Sequence, residues 1–401
     1  MQFYLNNLGI LNALGSGKAE VLDNLLAGYR SGLQACDWIP GKQTCVAAVT
    51  RDLPPVPAVL EGCGSRNLQL ALGALEQIQP DIAEAVARYG ADRIAVVAGT
   101  STSGIAEGET AVAALKLNGT APPDYHYRQQ EIGNLAELLA RYLELAGPAY
   151  TLSTACSSSA HALGSARRLL AAGLVDAVVV GGADSLCRLT VNGFSALESV
   201  AEGVTNPFSR NRSGINIGEG AAFFLMTREP GMEAIELLGA GASSDAHHIS
   251  APEPSGAGAE RAIRAALTQA QLGPQDVDYV NLHGTGTRLN DAMEASVVMR
   301  LFGDALPCSS SKGQIGHTLG AAGATEGGLC WLALSSYNAR GMLPPHCWDG
   351  ERDPDLAPVQ LVGTGTTLEK LLKVNTRAVM LSNSFAFGGN NAAVLLGVCR
   401  T

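Results

Sequence analysis

The chain has 401 residues, 46% of them hydrophobic and only 5% aromatic, with 47 glycines and a formal net charge of −10. That balance suits a tightly packed α/β enzyme built on Ala, Val, Leu and Gly, and it argues against nucleic acid as a main partner. Nine cysteines, an odd number without paired spacing, read as reduced thiols, and without a CxxC pair no zinc or iron–sulfur site is expected. The start, Met1-Gln2-Phe3-Tyr4-Leu5, lacks the positive flank of a signal peptide. No apolar run approaches the ~20 residues of a membrane span, so a cytoplasmic protein is expected.

Residues 1–30 predict a strand, a turn at Gly15-Ser16-Gly17 and a helix from Ala19 to Tyr29. The Gly-Ser-Gly-Lys run is not a phosphate loop, because Asn12 stands where that loop needs glycine and Ala19 follows the lysine. Residues 31–65 are turn-rich. A helix over Leu68–Tyr89 leads to a strand at Arg93–Ala98 and the small-residue run Gly99-Thr100-Ser101-Thr102-Ser103-Gly104. Residues 108–148 read as helices and loops, with a turn at Pro122-Pro123.

The stretch from Ala149 to Gly182 organises the chain. Tyr150, Thr151 and Leu152 lean towards a strand, and Ala160, Leu163, Ala166 and Leu170 then recur at helical spacing up to Gly173. Val175–Val180 predicts a second strand, so the pattern is a parallel crossover unit with Cys156 at its elbow. Unpaired backbone N–H groups and the helix dipole at such an elbow favour a thiolate. A small buried core cysteine is the plain alternative.

Beyond it, Asn206–Asn216 is polar and basic and Gly218–Met226 is an apolar strand. The second half then echoes the first. Gly218-Glu219-Gly220-Ala221-Ala222-Phe223-Phe224-Leu225 returns as Gly389-Asn390-Asn391-Ala392-Ala393-Val394-Leu395-Leu396, and the helix opening at Cys156 returns as one opening near His317. Two echoes in the same order predict duplicated halves, 1–232 and 233–401, in one body with both helix starts at a central site.

Three further constellations carry chemistry. Val280-Asn281-Leu282-His283-Gly284-Thr285-Gly286-Thr287 is a strand ending in a histidine and a Gly/Thr loop. Ser311-Lys312-Gly313-Gln314-Ile315-Gly316-His317 leads into Gly320-Ala321-Ala322-Gly323-Ala324 and Glu326, and Asn383-Ser384-Phe385-Ala386-Phe387-Gly388-Gly389 closes the set. Together with Thr154-Ala155-Cys156-Ser157, the chain resembles the β-ketoacyl-acyl carrier protein synthases, specifically the elongating Cys-His-His condensing enzymes, over almost its whole length. The resemblance implies a thiolase-like α/β fold with duplicated βαβ-rich halves in stacked α/β/α/β/α layers, usually dimeric.

It also implies an activity: Cys156 accepts an acyl chain, and a decarboxylating malonyl thioester attacks it. His283 and His317 stabilise the enolate, Lys312 pairs with Glu326 beside them, and the backbone N–H groups of Cys156 and Phe387 hold the acyl oxygen. Phe387 matches the family's gate, while Thr285, Thr287 and Ser250 match positions along the pantetheine arm. No cofactor or metal is implied, since the substrates ride on the phosphopantetheine of acyl carrier protein. The implied partners are that carrier protein and a second chain, identical or a ketosynthase-like subunit.

The chain departs from the family pattern at Ala386, at Asn390, at Gly286 and at Glu198, where glycine, threonine, serine and arginine are common. Arg66, Arg128, Arg210 and Arg212 are the candidate contacts for an acidic carrier protein, and His161, His247 and His248 read as structural. Thr102 replaces a common isoleucine at the expected far end of the acyl pocket, and its run is similar to synthases of aryl-polyene and related specialised pathways. A thiolase would need a second cysteine in the C-terminal glycine loop, which reads Phe-Gly-Gly-Asn-Asn here. A non-catalytic chain-length-factor-like subunit would have lost Cys156.

Overall fold

The protein is described here by a computed structural model covering residues 1–399. Its strands are nearly all apolar because both faces are covered. Five of the main sheet's longer strands belong to the first half: β1 (Tyr4–Asn12), β2 (Ile94–Gly99), β3 (Ala149–Leu152), β4 (Ala177–Asp184) and β5 (Gly220–Thr227). Five more belong to the second, beside the short edge strand Gln360–Leu361: β6 (Glu236–Ser244), β7 (Tyr279–Asn281), β8 (Pro307–Ser309), β9 (Arg377–Ala386) and β10 (Asn390–Cys399).

The first five run in the order β3-β2-β4-β5-β1, with β5 antiparallel to its neighbours. The second five repeat that order as β8-β7-β9-β10-β6, with β10 antiparallel. The two arrays meet where β1 pairs with β6 at the single register pair Tyr4↔Glu236. This is the duplication that the echoes implied, in the thiolase-like form that the family resemblance implies.

Alternation along the strands divides the core into layers. On β4, Val178 and Val180 face a central cluster while Ala177 and Val179 face an outer one. On β10, Val394 and Leu396 face the same central cluster while Ala393 and Leu395 join a third. Helices fill each space: α1 (Ile105–Asn118), α2 (Ser158–Ala171), α3 (Arg188–Ala196), α4 (Arg288–Phe302) and α5 (Ala322–Leu334) are those that matter for the site. The central layer is α2 and α5, packed on each other and on strands of both halves. A Cβ on Gly323 would stand 2.6 Å from the Ala160 backbone nitrogen, so only glycine permits this approach.

The helix expected over Leu68–Tyr89 is two helices, Arg66–Leu75 and Gln79–Tyr89, separated by the 3-10 turn Glu76–Ile78. Pro80 has no amide hydrogen to donate and so sits in the first turn of a new helix. Lys18 binds the side chain of Asn7 and the Leu8 carbonyl, consistent with a structural glycine turn rather than a phosphate loop.

Candidate active site

The nucleophile stands where β3 turns into α2. Ala155 is forced into the left-handed region at φ 52°, which turns the chain sharply before the helix. The serines after Cys156 lock that turn. Ser157 donates to the Thr154 carbonyl, and Ser158 donates to the Ala155 carbonyl while accepting from the Thr154 amide. Ser159 instead accepts from the Ala324 amide, tying α2 to α5.

His283 follows β7, and the helix behind it fixes its backbone. The Glu294 carboxylate on α4 accepts from the His283 amide at 2.8 Å and the Gly284 amide at 2.7 Å. His317 lies before α5, its amide donating to Asn216 and its carbonyl accepting from Gly218. One side-chain atom each from Cys156, His283 and His317 lies within 4.8 Å of the other two, and all three residues are buried. The imidazole rings meet edge to face, centroids 5.3 Å apart, and Phe385 packs on His283 at 6.0 Å.

Lys312, also buried, forms an ion pair with Glu326 and donates to the His283 carbonyl. Its Nζ is 3.5 Å from His283 Nδ1. An ammonium can only donate, so Nδ1 is the acceptor and His283 carries its proton on Nε2. Burial pushes both histidines well below their usual range, and the Lys312 ammonium pushes them further. Both are therefore neutral donors at pH 7.

The thiol corrects an expectation. Burial pushes Cys156 up to about 11, against the opposing pull of Lys312 and of the Phe387 and Cys156 backbone amides. A helix start on the surface would yield a thiolate; here desolvation of the anion is the larger effect. The resting nucleophile is a thiol.

Cys156, His283 and His317 open on a cavity of about 350 Å³ that also reaches Phe194, Ser250, Thr285, Thr287 and Phe387. Phe387 starts a short turn whose glycines, Gly388 and Gly389, take φ 79° and 73°, and its ring lies 5.3 Å from that of Phe194 on α3. The hydroxyls of Thr285 and Thr287 lie 2.9 Å apart. Exposed Leu197, Glu198, Arg288 and Leu289 rim the mouth. Gly286 has φ 78°, and a Cβ there would meet the Thr205 hydroxyl at 2.4 Å, which explains why this chain has no serine at that position.

Thr102 is not among the cavity-lining residues. Its hydroxyl and amide both donate to Asp184, as do the Thr100 hydroxyl and the Ser101, Gly320 and Ala321 amides. Of the four candidate docking arginines, Arg210 is exposed and the other three are in ion pairs. Arg66 pairs with the buried Glu219, Arg212 is itself buried against Asp353, and Arg128 pairs with Glu137. Of His161, His247 and His248, none lines the cavity.

Sequence reading passed over Asp184, Asp291 and Glu294. Burial lifts Asp291 to about 6 and Glu294 to about 7, each held by backbone amides of the histidine loop. A signal was present: Asp291 and Glu294 are three apart on one helix face, and Asp184 ends an otherwise apolar strand.

Two family profiles match in tandem, Beta-ketoacyl synthase, N-terminal domain, over residues 68–230, and Beta-ketoacyl synthase, C-terminal domain, over residues 234–347. The ketosynthase ApeO, solved in complex with its chain length factor ApeC from Xenorhabdus doucetiae, is 47% identical, with a TM-score of 0.92 over 99% of this chain and 98% of that one. The chain belongs to the β-ketoacyl synthase family.

Among curated relatives, the 3-oxoacyl-acyl-carrier-protein synthase 2 of Rhizobium meliloti (strain 1021) is 38% identical over 63% of this chain and 61% of its own length. The synthase 2 of Coxiella burnetii is 29% identical over 98% of this chain and 97% of its own length. A β-ketoacyl synthase is a condensing acyltransferase, and the Cys156-His283-His317 constellation is the site for it. Among the described residues, no helix is long and apolar enough to cross a membrane.

Proposed function

We propose that this synthase elongates a conjugated chain in a specialised pathway, paired with a chain-length-factor-like subunit. The supporting observation is the 47% identity to ApeO across nearly the whole chain, against 29% to the Coxiella synthase over a similar span. A surface suited to a second subunit is available. β3 is the edge strand of the first array, and α1, packed on α3, leaves Val112, Leu115 and Leu117 exposed. An identical chain would use the same surface in a homodimer. The reaction is assigned to the cytoplasm, with the halves dividing at 232/233.

In this reading the acyl carrier protein delivers its pantetheine arm past Thr285, Thr287 and Ser250. The Cys156 thiol attacks the acyl thioester, and a neutral imidazole relays its proton to the departing carrier thiol. The Phe387 and Cys156 amides, which already point at Sγ, hold the carbonyl oxygen as it becomes an oxyanion. A malonyl carrier protein then loses CO2. His283 and His317 donate to the enolate oxygen, which needs donors rather than a base. The enolate carbon attacks the acyl-Cys156 carbonyl, and Cys156 leaves and regains its proton.

Lys312 and Glu326 keep the histidines neutral and oriented, and Phe387 moves off Phe194 to admit the chain. Thr102, held by Asp184 and not lining the cavity, would bound an acyl chain only beyond the present cavity. Intact-mass measurement with polyenoyl and saturated acyl carrier proteins tests the proposal. Preferential acylation of Cys156 by the polyenoyl chain, only when the second subunit is present, is expected. Equal acylation by both chains without a second subunit would return the protein to ordinary fatty-acid elongation.

A further inference from the structure

We propose that Cys156, His283 and His317 also form a binding site for one soft divalent cation of the zinc class, whose occupation blocks the nucleophile. Blocking is defined on the acylation step, so that clause rests on the reading above; binding itself does not. One thiol sulfur and two imidazole nitrogens lie within 4.8 Å of one another in a buried pocket. A tetrahedral zinc site, with Zn–S of about 2.3 Å and Zn–N of about 2.0–2.1 Å, needs its ligand atoms about 3.3–3.6 Å apart. Side-chain adjustment of about 1 Å closes that gap.

The nitrogens are available. Among the described residues, neither ring nitrogen of His317 has a hydrogen-bond partner, although the residue is only 2% exposed. His283 Nε2 becomes a ligand atom when its proton moves to Nδ1, the Lys312 ammonium keeping its bonds to Glu326 and to the His283 carbonyl. The fourth position opens on the cavity, where water completes the coordination. One sulfur and two imidazoles select zinc over magnesium or calcium, which require oxygen. The Lys312 ammonium opposes a cation, but its ion pair with Glu326 offsets that charge. The ligands come from β3–α2, β7 and the approach to α5, so no spacing motif could announce them.

Binding breaks the Cys156 S–H bond and forms a metal–sulfur bond, with that proton released to buffer, the His283 proton shifted from Nε2 to Nδ1, and no change of oxidation state. A chelator reverses it. The test uses the full chain and two readouts. Zn2+ at one equivalent should slow iodoacetamide labelling of Cys156 by at least about tenfold, with EDTA restoring it and exposed Cys399 unaffected. Co2+ should give one sulfur-to-cobalt charge-transfer band per chain, absent in Cys156→Ser and weakened in His317→Ala.

Unchanged Cys156 labelling in the wild-type chain, or a cobalt band of equal intensity in folded Cys156→Ser, overturns the proposal. Acylation of the chelator-treated enzyme by acyl carrier protein is scored separately. The condensing reading can therefore fail or stand independently of the metal site.

Discussion

The two central helices are topological counterparts, each following the third strand of its half, yet they are used differently. α2 begins at the nucleophile, two residues after Cys156, and leaves residues such as Leu169 only partly buried. α5 is buried at all thirteen positions, and the Gly320 and Ala321 amides just before it are occupied by the Asp184 carboxylate. His317 therefore sits beside a helix start already supplied with an anion, while Cys156 faces its helix start directly. Duplication supplied two equivalent positions; the side chains around each decided that one bears a nucleophile and the other a donor. The difference also shows that a helix start does not by itself make a thiolate, since burial holds Cys156 at about 11.

The strongest way to break the comparison is to separate the helices. Gly323→Val places branched carbons against the Ala160 backbone, and overpacking at such a contact costs about 1–3 kcal/mol or more. Loss of soluble protein, or a melting temperature lowered by several degrees, is expected from thermal unfolding; wild-type stability would show that the helices can part without cost.

Next, the donor side can be removed without the nucleophile. His283→Ala and His317→Ala should still acylate Cys156, as read by intact mass, while CO2 release from malonyl carrier protein falls about 100-fold or more. Cys156→Ala should show no acyl adduct at all. Normal decarboxylation by either histidine variant would make that histidine structural.

The thiol itself is sharpened by pH. With the folded value raised to about 11, the protonated form dominates throughout the neutral range. Cys156 alkylation should climb about tenfold per pH unit from pH 7 to pH 10, and a plateau near pH 8 would refute the desolvated thiol.

A smaller effect is expected at Asp184, whose charge adds to the upward push on Cys156. Asp184→Asn should raise the alkylation rate at pH 8 about two- to fivefold. It should also lower stability by about 2–4 kcal/mol, because six donors lose their carboxylate. Circular dichroism confirms the folded fraction before rates are compared. The smallest effect belongs to Thr102→Ile, which removes one of those donors. The longest accepted acyl chain should shorten while short chains are unaffected, and an unchanged chain-length profile in an elongation assay would place the pocket elsewhere.

Much of the site was legible from local pattern. The elbow at Cys156, the strand ending at His283 and the run from Lys312 to Glu326 each carry their chemistry within fifteen residues. The paired echoes foretold the repeated strand order because duplicated strands must bury the same faces. Asp184 was not legible as a partner, since its donors lie 82 to 137 residues away in the chain; Asp291 and Glu294 accept from histidine-loop amides only 5 to 11 residues before them, a local signal. The sequence likewise shows the cation at Arg66 but not the buried Glu219 that pairs with it.

By itself the sequence determined the α/β class, the duplication, the Cys-His-His set and the family, because period, glycine placement and motif order are local properties. Tertiary structure alone decided the protonation state of that set. Desolvation depends on what surrounds a group on every side, and for Cys156 those surroundings come from α5, the Lys312 loop and the Phe387 turn, distant in sequence and brought together only by the fold.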